Sequence, residues 1–182
     1  MTIAPVFPNY TQMRQILPIK VWHVLRVMAV GCALGLVVTL FAAPKTGLNI
    51  WWGYIVPVLP LVFFAAPGLW RNLCPMAALN QTPRLLGFSR SFTLPAKVKE
   101  YGYVIGVAAF FVIIPTRKTV FNDNGFATGL LMLAVLGTAF VGGVIFKGKG
   151  GWCSSGVCPL FAVQRVYGQT PFAAVPNSHC QP

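Results

Sequence analysis

The sequence predicts an all-α integral membrane protein with four transmembrane helices. We expect two tandem hairpins, each followed by a Cys-Pro loop and a short interfacial helix. Of the 182 residues, 56% are hydrophobic and only 9% are charged, and the mean hydropathy is +0.70. Long apolar segments recur along the chain, and a heptad that begins with Cys-Pro occurs twice. Soluble domains carry far more charge, so this composition indicates a lipid bilayer as the surrounding medium.

The first two predicted spans cover residues 21–43 and 48–70. A helix needs about 20 apolar residues to cross a hydrocarbon core of about 30 Å, and both segments reach that length. The short "PKTG" sequence between them predicts a turn and therefore an antiparallel hairpin. Polar and proline-containing residues precede the first span, which is typical of a retained helix and not of a cleaved signal peptide.

The second hairpin is predicted from residues 101–114 and 125–146. The first of these apolar segments is short. It can span only if Lys97 and Lys99 extend to the interface at one end and the helix continues through Pro115 at the other. The chain then divides into a cytoplasmic N-terminal segment (1–20), a first hairpin with its Cys-Pro loop (21–99) and a second hairpin with a cysteine-containing tail (100–182).

The basic residues predict the orientation. Four spans place both termini and the central connection on one side of the membrane, and most of the fourteen Lys and Arg lie there. Positively charged flanks favour the cytoplasmic side, so we expect a multi-pass protein of a bacterial-type inner membrane with both termini in the cytoplasm. The formal charge of +12 favours anionic lipid as a partner. No basic stripe outside the membrane flanks indicates nucleic-acid binding.

The two heptads are "CPMAALN" from Cys74 to Asn80 and "CPLFAVQ" from Cys158 to Gln164. Proline is favoured at the first position of a helix, so each cysteine is predicted to be the N-cap of a short helix. Free backbone N–H groups and the helix dipole favour negative charge at that position, and hence a thiolate. Two hairpins of the same orientation place both Cys-Pro units on the same face of the membrane.

Four cysteines are therefore expected to converge on one site: Cys74, Cys153, Cys158 and Cys180. Four thiolates are the ligand set of an iron–sulfur cluster. They are also a ligand set for structural zinc, and reactive, disulfide-bonded or inert thiols remain alternatives. The fifth cysteine, Cys32, lies deep in the first span and is predicted to be a small apolar filler.

The segments "RNLCPMAALN" and "GGWCSSGVCPLFAVQ" resemble the polytopic membrane iron–sulfur proteins that supply electrons to nitrate reductase and nitrous-oxide reductase. Those proteins carry Cys-Pro units after transmembrane hairpins, and the resemblance covers roughly residues 20 to 170. It implies membrane electron transfer through a 4Fe–4S cluster, linked to quinol or to a redox partner protein in a larger complex. An electron-transfer subunit is expected in preference to a stand-alone enzyme.

Other functions remain open from the residues. His23 and Arg26, at the start of the first span, are either interfacial anchors or neighbours of a quinone headgroup. A four-helix thiol/quinone oxidoreductase would also fit the size of the chain. A third class is a non-catalytic accessory subunit of a respiratory or photosynthetic complex. The sequence lacks a Ser-His-Asp set, a phosphate-binding loop and a carboxylate pair, so hydrolytic and nucleotide chemistry are excluded.

Overall fold

The computed structural model of the chain describes residues 18–90, 92–93, 95–146 and 157–167. Within these residues two π-helical segments occur, Asn49–Ile55 between the second and third α-helices and Arg117–Phe121 after the sixth. Apart from a single bridge between Phe92 and Phe146, the described part of the chain is helix and connection. The α-helices in chain order are α1 (Ile19–Ala42), α2 (Pro44–Leu48), α3 (Val56–Ala65), α4 (Pro67–Leu73), α5 (Pro75–Leu85), α6 (Ala96–Thr116), α7 (Gly125–Ile145) and α8 (Pro159–Tyr167).

In the described part of the chain, four helical segments are long and apolar enough to cross a membrane. They are Lys20–Ala42, Pro44–Ala65, Glu100–Phe121 and Gly125–Ile145. Their side chains are mostly turned outward, as expected where lipid replaces a protein core. The prediction of an all-α membrane protein with four transmembrane helices is therefore confirmed.

The connection between the first two spans differs from the prediction. The sequence "PKTG" is helical and begins α2, and the only break is at Ala43, whose N–H donates to the Thr39 carbonyl at 2.8 Å. Gly47 lies directly against Leu40, because a Cβ there would be 2.9 Å from the Leu40 Cα. Pro44 has no backbone N–H and is favoured at the start of a helix, so α2 can begin directly after Ala43. The single non-helical residue Ala43 is therefore enough to separate the first two spans.

The second span ends earlier than predicted. Ala66 is extended, with φ −150° and ψ 74°, and α4 begins at Pro67. The residue before a proline is sterically disfavoured in helical conformation, which favours a break at Ala66, although the same helix continues through Pro60. The ring of Trp70 packs edge-on against that of Phe63 across the break, with centroids 5.2 Å apart.

The third span reaches full length at its C-terminal end, where the helix continues through Pro115 as predicted; the extension of Lys97 and Lys99 to the interface stays a prediction. Helix α6 begins at Ala96 and includes Pro115, and the π-helical turn extends it to Phe121. At this end of the bundle, Trp52 Nε1 and Thr128 Oγ1 both donate to the Phe121 carbonyl, at 3.2 and 2.6 Å. The Arg117 guanidinium lies 4.3 Å above the Trp52 ring. The two hairpins are thus joined at the end opposite the Cys-Pro units.

The two halves of the chain interlock through their short helices. Helix α5, which follows the first Cys-Pro unit, packs against α1 of its own half and α7 of the other half. Helix α8, which follows the second unit, packs against α6 of its own half and α3 of the other. Each short helix therefore contacts the first span of its own half and the second span of the other.

The contact between α5 and α7 is the tightest of these. Asn80 is 2% exposed and its Nδ2 donates to the Ala139 carbonyl at 2.8 Å. At Gly143, a Cβ would lie 2.8 Å from the carbonyl carbon of Asn80 and closer still to its oxygen. Only glycine allows the two backbones to approach so closely.

Replacing Gly143 with Ala is expected to destabilise the bundle, because α5 cannot move away without losing the Asn80 hydrogen bond. Overpacking of this kind typically costs about 1–3 kcal/mol. The thermal unfolding midpoint in detergent should fall accordingly. Gly31→Ala is the matched control, since nothing lies within 4 Å of a Cβ at that position. Equal midpoints in the two variants would contradict the close approach of α5 and α7.

Candidate cysteine site

Cys74 lies at a junction between two helices. It closes α4, with its N–H donating to the Trp70 carbonyl at 2.8 Å, and it is the N-cap of α5, with its own carbonyl accepting from Ala78 N–H at 3.0 Å. Pro75 occupies the first position of α5, where the backbone N–H has no partner within the helix and its absence costs no hydrogen bond. The predicted N-cap position of Cys74 is confirmed.

Cys158 occupies the corresponding position in the second half. Its carbonyl accepts from the Phe161 N–H at 2.9 Å, and α8 begins at the next residue, Pro159. Cys74 and Cys158 are each 7% exposed, and neither is disulfide-bonded. The second Cys-Pro unit therefore also precedes a helix, as predicted.

The fold brings the two cysteines together although they are far apart in sequence. They are close enough that a negative charge on Cys158 raises the pKa of Cys74. The surroundings are apolar, because Cys158 forms one buried cluster with Ala139 of α7. Half-buried side chains that cover this cluster are Met76, Val135, Val157, Leu160 and Phe161.

Burial dominates the acidity of Cys74. The pKa of its thiol is raised from 9.0 to about 11. Removal from solvent is the largest cause, the Ala77 amide lowers the pKa, Cys158 raises it, and the Met76 amide lowers it. The two amides face the sulfur from the first turn of α5 without forming a short capping hydrogen bond. The helix N-terminus thus favours the thiolate, as predicted, yet burial outweighs it and the uncoordinated thiol is protonated at neutral pH.

A second group of polar side chains surrounds the segment that carries Cys74. Arg26, 7% exposed, projects from α1 and donates from Nε to the Asn72 carbonyl at 3.0 Å. Its two terminal nitrogens lie 3.4 Å from Gln81 Oε1 and 3.5 Å from Asn72 Oδ1. Arg26 therefore contacts residues on both sides of Cys74.

The carboxamides at the seventh place of each heptad differ in their bonding. Asn80 is bonded to α7, whereas Gln164 Nε2 is buried and makes no hydrogen bond within the described residues. Nε and one terminal nitrogen of Arg84, near the end of α5, are likewise buried and make no hydrogen bond within the described residues. The two heptads are thus similar in position and fold but not identical in their contacts.

The remaining predicted site residues have different outcomes. Cys153 and Cys180 lie outside the described residues. His23 is half-buried on α1, one turn before Arg26. Cys32 is exposed on the outer side of α1 within the first span, where lipid chains are its neighbours in a membrane, and its role as a small apolar filler stays a prediction. Its position on the helix turns it away from the other helices.

Two described cysteines alone do not form a complete metal site. Over residues 18–90, 92–93, 95–146 and 157–167, no group of three His, Cys, Asp or Glu side chains is placed to hold a metal ion. The buried pair of cysteines fits a thiolate-bound cofactor, because each cysteine lies at a helix N-terminus. Cys74 and Cys158 would supply half of a four-cysteine ligand set.

Similarity to known proteins gives no information on this site. The chain matches no family model, no curated protein and no solved structure.

Three residues that support the site were missed from the sequence. Asn72, Asn80 and Gln81 are polar side chains in the segment around Cys74, and the first two are 2% exposed. Asn80 carried a signal, since a carboxamide ends both heptads. Asn72 and Gln81 carried none, because their importance depends on Arg26, which approaches from a distant part of the chain.

The raised pKa of Cys74 predicts slow alkylation in the metal-free protein. The thiolate is the nucleophile, so a shift from 9.0 to about 11 reduces its population about 100-fold at pH 8. The alkylation rate should rise about tenfold per pH unit until the pH approaches 11. Peptide-level mass spectrometry after iodoacetamide treatment measures this rate, with the SDS-unfolded protein as the comparator. Equal rates in the folded and unfolded protein at pH 8 would contradict the burial of the thiol.

Proposed function

We propose that the protein is a membrane-bound iron–sulfur electron-transfer protein. Its ligands are Cys74 and Cys158 together with Cys153 and Cys180, and the cofactor is a 4Fe–4S cluster. A bound cluster supplies one-electron chemistry, and the chain supplies thiolates, burial and attachment to the bilayer. Electrons pass between quinol or a redox partner protein and an acceptor.

One observation carries this proposal. The cysteines of two Cys-Pro units from different halves of the chain lie close enough for a charge on one to act on the other, and each is at the N-terminus of a helix and 7% exposed. A protein that used its cysteines only as small apolar residues would have no need to bring these two together. Shared ligation of one cofactor explains both the repeat and its position.

The acidity of Cys74 supports ligation over free thiol chemistry. A buried thiol with a pKa of about 11 is a poor nucleophile, which disfavours the thiol/quinone oxidoreductase. Coordination to a metal would replace the thiol proton, which would be released to solvent, and the amides of Met76 and Ala77 would stabilise the thiolate. The apolar residues around Cys158 exclude water from the site, and solvent exposure is one of the determinants of cluster potential.

Composition analysis of anaerobically purified protein tests the proposal. Iron with acid-labile sulfide is expected. Zinc alone would indicate a structural site. Absence of both iron and zinc would favour the thiol/quinone oxidoreductase or the accessory subunit. Cys74→Ser and Cys158→Ser should each lower the iron content severalfold and to a similar degree, because both ligate one cofactor. Cys32→Ser is the control, since Cys32 is exposed on α1 away from the site. Loss of iron from only one of the two ligand variants would contradict shared ligation.

We further propose that the cysteine site faces the cytoplasm. The described basic residues at that end are Lys20, Arg84, Arg90 and Lys97, and those at the other end are Lys45, Arg117 and Lys118. The more numerous basic flanks, including those of the sequence outside the described residues, favour the cytoplasmic side.

Cysteine labelling from outside the cell tests this orientation. In a variant without native cysteines, Lys45→Cys should react with a membrane-impermeant maleimide in intact spheroplasts. Arg90→Cys should react only after the membrane is opened. The reverse pattern would place the cysteine site on the outer face.

A further inference from the structure

Arg26 is a buried charge, 7% exposed, and it lies inside a transmembrane span. The chain has two acidic residues, Glu100 and Asp123, and both are exposed. The groups that accept hydrogen bonds from Arg26 are neutral amides. A charge at membrane depth is unfavourable, and residues that carry one usually have a specific role.

All three acceptors belong to the segment that carries Cys74. The Asn72 carbonyl and Asn72 Oδ1 precede the cysteine by two residues, and Gln81 Oε1 lies on α5 beyond it. The Asn72 side chain is itself fixed, because its Nδ2 donates to the Gly68 carbonyl at 3.0 Å. Its oxygen is therefore directed at Arg26. One guanidinium thus ties α4 and α5 to α1 on both sides of the Cys74 junction.

The planar guanidinium is suited to this task. It presents five N–H donors in a fixed geometry, whereas a lysine ammonium offers a single flexible point charge. Hydrogen bonds to a charged donor stabilise more than neutral ones do. The hydrogen bonds of Arg26 join α1 to residues on both sides of the cysteine through one side chain, so Arg26 contributes to the orientation of the Cys74 turn in addition to the packing of α5 on α1 and α7.

We propose that Arg26 is a positioning residue for the cysteine site: it holds the Cys74 junction against α1 and thereby keeps Cys74 beside Cys158. This role deepens the proposed function and rests on it for its significance. The contact itself does not require a bound cluster, so the two can be tested separately.

The test uses the full chain with Cys32→Ala, Cys153→Ser and Cys180→Ser, so that only Cys74 and Cys158 remain. Dibromobimane, which fluoresces when it bridges two neighbouring thiols, reports their proximity in the metal-free protein. The bridging rate is expressed relative to the rate of single alkylation of Cys74, because burial alone slows that first step. Arg26→Met should slow bridging at least tenfold, as expected when hydrogen bonds to a charged group are lost. Arg26→Lys should recover part of the rate, because it keeps the charge but not the planar geometry.

Arg84→Met is the matched control. It removes the same charge, from α5 itself, but the buried nitrogens of Arg84 make no hydrogen bonds within the described residues. Its bridging rate should stay within twofold of the parent protein. A parent-like rate in Arg26→Met, or an equal loss in Arg84→Met, would overturn the positioning role.

Two further measurements separate positioning from general destabilisation. Arg26→Met combined with Gln81→Ala should bridge no more slowly than Arg26→Met alone, because both changes break the same connection.

If Arg26→Met does not accumulate in the membrane, Arg26→Lys replaces it in the test. A threefold or greater loss of bridging rate is then expected, and a parent-like rate would overturn the proposal. In protein purified with its native cysteines, absence of iron and sulfide would refute the cluster, while the bridging rates would still decide the role of Arg26.

Discussion

The packing of α5 against α7 is the constraint on which the rest of the structure depends. Asn80 bonds to Ala139, and the absence of a side chain at Gly143 lets the two backbones touch. Because α5 begins at Cys74 and belongs to the first half, while α7 belongs to the second, this contact fixes one Cys-Pro unit relative to the other. The neighbouring thiols follow from that register.

Forces other than the hydrophobic effect hold these helices together. Lipid chains are as apolar as leucine, so helices in a bilayer associate through close packing and polar contacts. The bundle uses both: glycine against backbone at Gly143, and carboxamide or guanidinium bonds at Asn80 and Arg26. At the opposite end, the carbonyl of Phe121 accepts from Trp52 and Thr128. Both ends of the bundle are thus joined by polar side chains that water would otherwise solvate.

Local sequence explains most of the helices and also the two wrong predictions about where the second span begins and ends. Apolar length predicts the four spans, and proline after cysteine predicts where α5 and α8 begin. The same residue type caused the errors, because a proline can either start a helix or be tolerated within one. Pro44 and Pro67 start new helices, while Pro115 lies inside α6. Which outcome occurs depends on the packing of the neighbouring helices as well as on the residue itself.

The sequence by itself determined that the protein spans a membrane four times, and that both Cys-Pro units lie at helix N-termini on one side. These properties follow from hydropathy and from the stereochemistry of proline, which act over a few residues. Only the tertiary structure decided that α5 and α8 cross to the opposite half, that Arg26 bonds around Cys74, and that burial raises the pKa of that thiol. Each of these depends on contacts between distant segments, and no local pattern specifies which backbone will lie against which.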